Sequence, residues 1–137
     1  MIEGAEYIMM TMTKEQFIKH LVIAIPEGIV FDNLGGGIST IIKVGEDKLS
    51  YTRGKSRFYL SYGAMFDALK LFSGTSTTTT DLKQHNPDVF DSKRGGHSCN
   101  CTTMFKILEL MGLIDGTVKG AGRKGAPFFV VIRQYMR

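Results

Sequence analysis

The chemistry this chain can offer is concentrated in its final third, where cations, hydroxyls and glycines recur close together. From Lys93 onward there are eight basic residues (Lys93, Arg94, Lys106, Lys119, Arg123, Lys124, Arg133 and Arg137) against two acidic ones, Glu109 and Asp115. Residues 1–92 hold nine basic and eleven acidic residues, so the net charge of +4 is gathered at one end. Such asymmetry points to a surface for a polyanion; the plainer alternative is a solvated basic face. Within it, residues 119–125 set Lys119, Arg123 and Lys124 among Gly120, Gly122 and Gly125. The cations suit phosphates, and glycines let a backbone come close to a phosphate or a minor groove. Just upstream, Thr102, Thr103 and Lys106 offer hydroxyl and ammonium donors at helical spacing.

Other chemistries find less support. His85, His97, Cys99 and Cys101 are residue types that zinc prefers. A Cys-x-Cys pair, however, lacks the two-to-four-residue separation of structural zinc knuckles and there is no second pair, so no metal is expected. A disulfide between residues two apart would close a strained loop, and reduced thiols are expected. Carboxylates are scattered, and neither a Gly-x-Ser-x-Gly elbow nor a Gly-Lys-Ser/Thr phosphate loop occurs, so neither an enzyme nor a cofactor is expected.

The hydrophobic fraction of 43% and charged fraction of 22% are those of a globular chain. The most apolar run, residues 21–25, falls far short of the roughly 20 residues that span a bilayer. The opening residues lack the basic start and long apolar stretch of a secretory signal, and Met9, Met10 and Met12 are alternative starts. A cytoplasmic location without membrane contact is the expectation. A length of 137 residues suits one core, hence a single domain over 1–137, with residues 1–61 an extension of a core at 62–137.

The elements that must position the basic segment can be read from caps and periodicity. Thr13 with Gln16 forms a capping box, and Phe17, Ile18, Leu21, Val22 and Ile25 recur at helical spacing until Pro26. This helix either covers the core or forms a dimer contact. Three glycines close residues 34–37, after which three short antiparallel strands follow over 38–44, 48–53 and 57–61. Arg53, Lys55 and Arg57 cluster at the second turn, a solvated tip or a source of phosphate contacts. Ser61 caps a helix ending at Gly74, and Thr78 with Asp81 starts a short helix that stops before Pro87. A polar connector over 87–98 is anchored by Val89 and Phe90. Asn100 or Ser98 then caps a helix to Met111, with Cys101, Met104, Ile107, Leu108 and Met111 on one side, Phe105 at the margin, and Thr102, Thr103, Lys106 and Glu109 on the other. Gly112 ends it, and strands over 113–118 and 128–133 flank the basic loop.

This order of elements over roughly residues 62–132 resembles the winged helix-turn-helix superfamily. The resemblance implies an α+β fold, a winged helix-turn-helix preceded by an N-terminal helix and a short antiparallel β-meander. It makes "ELMGLI" the end of the recognition helix and "DGTVKGAGRKGAPFFVVI" the wing. The implied function is binding of double-stranded DNA, as a transcription regulator, with the helix from about Cys101 to Met111 in the major groove. The expected DNA-binding residues are Lys93, Arg94, Thr102, Thr103, Lys106, Lys119, Arg123 and Lys124. Thr102 and Thr103 touch either bases or the backbone. The connector is longer than the superfamily's tight turn, and either lifts the helix from DNA or touches phosphate through Lys93 and Arg94. Alternatives are a winged-helix protein-interaction module and the targeting domain of a larger DNA-processing assembly; a homodimer is compatible with each.

Overall fold

The structure, a computed structural model, describes residues 12–134. Met9, Met10 and Arg137, which entered the reading of the sequence, lie outside the described residues. The fold is mixed α+β, with two antiparallel sheets and several helices.

Helix α1, Lys14–Ala24, begins as expected. The Gln16 amide donates to Thr13 Oγ1 at 3.1 Å, and the Thr13 amide donates to Gln16 Oε1 at 2.9 Å. Phe17, Leu21 and Ile25 are buried. Val22 is instead 47% exposed and its neighbour Ile23 84% exposed, which corrects the wider apolar stripe. Only residues three or four apart share the buried face of so short a helix.

The first sheet runs in chain order, β1 (Val30–Asp32), β2 (Ile38–Val44), β3 (Lys48–Arg53) and β4 (Ser56–Ser61). It contains one strand more than the three expected. Strand β1 is only three residues long and is recognisable through its pairing, Phe31 opposite Ser39, rather than through any alternation of its own. Ile41, Leu49, Tyr51 and Leu60 point to the core from this sheet.

Helix α2, Tyr62–Phe72, is capped by Ser61, whose Oγ accepts from the Ala64 amide at 3.0 Å. Gly74, at φ +78°, turns the chain into β5, Ser76–Thr78. Helix α3, Thr79–His85, opens on the capping box of Thr78 and Asp81. The connector then forms a single turn of helix, α4 (Pro87–Phe90), and a 3₁₀ turn, Ser92–Arg94. Helix α5 spans Cys99–Leu110, and β6 (Ile114–Lys119) and β7 (Phe129–Ile132) close the second sheet in the order β5-β7-β6. At the end of α5 the Leu113 amide reaches Leu108 O at 2.9 Å and the Gly112 amide reaches Glu109 O at 3.0 Å, with Gly112 at φ +74°. This is the Schellman pairing that the Gly-Leu sequence implies.

The buried residues of both sheets and of the helices form one apolar cluster. Phe90 is buried in it and Val89 packs against it, which holds the connector down. Among the described residues no helix is long and apolar enough to cross a membrane.

Candidate nucleic-acid interface

The basic loop is folded by its glycines. The Ala126 carbonyl accepts from the amides of Ala121, Gly122 and Arg123 at 3.1, 2.9 and 3.3 Å, and the Ala126 amide returns to Arg123 O at 2.8 Å. Gly125, at φ +84°, supplies the left-handed third position of the resulting turn, which leaves Lys124 at its apex. Gly122, at φ +72°, lies against the Phe128 ring so closely that a Cβ there would collide with it. These glycines therefore fold the loop onto residues 127–128. The Gly122 amide is bonded within the loop, and Gly122 lines the groove beside it without presenting that amide as a donor.

The folded tip faces the starts of two helices across an open groove of about 440 Å³. One wall carries Arg123 and Lys124; the other carries Thr79, Thr80 and Lys83 from α3, with Ser98 and Thr102 at the start of α5. Its lining contains three cations, four hydroxyl side chains and no carboxylate. Such a surface offers donors and positive charge to an anion.

Of the residues expected to bind, the structure thus brings Thr102, Arg123 and Lys124 together. Lys93, Arg94 and Lys119 are exposed but do not line the groove. Lys106 is half-buried and tied to Glu109 Oε1 at 2.9 Å, while Glu109 Oε2 accepts from the Val118 amide at 3.0 Å. Thr103 is only 2% exposed and lies beside the Tyr51 phenol, so it is not a contact residue. Sequence periodicity assigned Thr103 to an outer face, and Phe105, fully buried, to a margin. The Thr103 placement fails, and the buried side extends past the Phe105 margin, for one reason: α5 is covered by the first sheet as well as by the core, so it has almost no outer face. Lys83, Thr79, Thr80 and Ser98 were missed. The Thr78 and Asp81 cap was the available signal for Thr79 and Thr80, since it brings them to the start of α3.

The start of α5 is also not as expected. Ser98 precedes the helix without a side-chain cap bond, and its Oγ and amide instead meet the Ser92 hydroxyl at 3.0 and 2.8 Å. Asn100 lies inside the first turn; Tyr51 donates to its Oδ1 at 2.6 Å, and its amide nitrogen donates to Val89 O at 3.0 Å. Tyr51 therefore pins α5 to the first sheet and, through Asn100, to the connector. Burial pushes the Tyr51 phenol far up, with the neighbouring Cys99 adding to the shift, so it stays a donor.

The Cys101 thiol faces the carbonyls of Thr79 and Phe90, and burial pushes it up to about 12. His97 meets Phe58 edge-on and His85 meets Phe72 edge-on. Among the described residues no three His, Cys, Asp or Glu side chains come together as a metal cage. The chain matches no family model, no curated protein and no solved structure.

Proposed function

We propose that the chain is a winged helix-turn-helix DNA-binding protein of the cytoplasm, acting in transcription regulation, and that it holds double-stranded DNA at the groove below its wing. The observation that carries this reading is the convergence of Lys83 from α3 with Arg123 and Lys124 from the basic loop on one groove without a carboxylate. Two features support the fold name. The order α2, α3, α5, β6, β7 is the order of helices and hairpin on which the resemblance rests, and β5, which the sequence did not announce, pairs with β7. The hairpin tip is also basic and turns on glycines, as a wing that meets phosphates requires.

A mobility shift on labelled duplex of random sequence tests the proposal. At low salt the wild-type chain retards the duplex, and Arg123→Glu with Lys124→Glu abolishes the shift. Unchanged retardation by the double variant would refute the wing assignment. A second reading, a winged-helix protein-interaction module, is favoured by exposed Val30, Ile38, Ile42 and Tyr59 on the first sheet. It predicts no shift with either protein.

A further inference from the structure

We infer that the groove takes the sugar-phosphate backbone of DNA irrespective of base sequence, an inference that rests on the DNA-binding reading above. Reading bases in the major groove requires a helix whose exposed side chains reach base edges, above all Arg, Lys, Asn or Gln in paired contacts. Helix α5 cannot present such a set. Seven of its twelve residues are buried, including Asn100 and Thr103. Asn100, its one carboxamide, has both polar ends engaged, with Tyr51 and with Val89 O. Lys106 is neutralised by Glu109, and Glu109 is itself held by the strand that leads to the wing. Leu110 is the only well-exposed residue of the helix, and it lies at the C-terminal end.

What remains accessible is suited to phosphates. Lys83 and Lys124 are point charges, and Thr79 and Thr80 supply hydroxyl donors, groups that fix a backbone and carry no sequence information, while the Thr102 hydroxyl donates to Cys99 O. Arg123 is the groove's one side chain built for paired contacts, and it sits on the turn at the wing tip rather than on a helix. From there it meets phosphate or a minor groove, where A·T and T·A present the same acceptors.

The test is a titration of the full chain against a set of labelled 25-base-pair duplexes of unrelated sequence and base composition, repeated across a salt series. The expected result is affinities within about tenfold of one another, against the roughly thousandfold or greater discrimination of sequence-specific proteins. With three cations in the groove, log K should fall against log salt with a slope of about −2.7. Lys83→Gln should reduce that slope by roughly 0.9. Arg123→Gln, on the exposed tip and remote from the core, should do the same if Lys83→Gln proves unstable. A strong preference for one duplex would overturn the inference and leave the DNA-binding reading intact. Uniform binding whose slope neither variant changes would also overturn it, by removing the strand from the groove. Absence of binding to every duplex would instead overturn the DNA-binding reading itself.

Discussion

At the scale of single residues, Asn100 shows how a side chain suited to base recognition is spent on structure. Its partners are the Tyr51 phenol and Val89 O, both inside the protein, so Asn100→Ala removes two hydrogen bonds, while Tyr51 keeps Cys99 Sγ and Val89 O keeps the His97 amide. Each lost bond costs about 0.5–1.5 kcal/mol. The variant should unfold at clearly lower urea, while wild-type DNA affinity persists where it remains folded. Cys101 makes a prediction about pH. Its thiol is held up to about 12 by burial, against an ordinary value of 9.0, and Tyr62 is held up to about 12 by burial, with Glu27 and Asp47 adding to it. The unfolded chain releases these protons first as pH rises, so it binds fewer protons than the native state. Stability is therefore fully present below about pH 9 and falls as pH rises towards 12. Urea midpoints between pH 8 and 11 should decline, and Cys101→Ala should flatten the start of the decline. Local signals for residues at caps were legible in the sequence: Thr13, Ser61, Thr78 and Gly112 act within a few positions of themselves. Thr103 and Asn100 were not, because what buries them comes from Tyr51, some fifty residues away along the chain.

At the scale of elements, two glycines do different work. Gly96 is packed into the connector, where a Cβ would stand 2.6 Å from Pro87 O and from the Val89 carbonyl carbon. Both are backbone atoms of α4, so Gly96→Ala must push that turn away from the start of α5. Overpacking of this kind costs about 1–3 kcal/mol, and a thermal melt should show the loss. Gly122→Ala combines a left-handed backbone position, about 1–2 kcal/mol, with collision against Phe128. Its expected signature is different: duplex affinity falls steeply because the wing tip moves, while the melting temperature drops less than in Gly96→Ala. The hairpin and its basic tip were legible because glycine and charge are local properties. Strands β1 and β5, three residues each, were not. Their identity lies in partners, Ser39 for Phe31 and Val130 for Thr77, and three residues are too few to display alternation.

At the scale of the whole molecule, the N-terminal sheet is more than an extension beside the basic half. It covers α5 through Tyr51, and so decides which surfaces of the C-terminal half are left for a ligand. The uneven charge read from the sequence foretold where cations are abundant, but not which of them converge. Lys83 belongs to the stretch with more acids than bases, and only the fold places it opposite Arg123. Lys93, Arg94 and Lys119, though prominent in the sequence, are left outside the groove. Charge reversal at Lys93 and Arg94 should thus lower duplex affinity far less than reversal at Arg123 and Lys124, in titrations at matched salt.

Amide chemical-shift mapping during titration with a short duplex decides whether DNA lies in the groove between the proposed wing and the starts of α3 and α5. Shifts are expected to concentrate at residues 79–83, 98–102 and 122–128, with the outer face of the first sheet unmoved. Shifts confined to that sheet, or spread along α5 beyond its first turn while the wing stays silent, would contradict that placement.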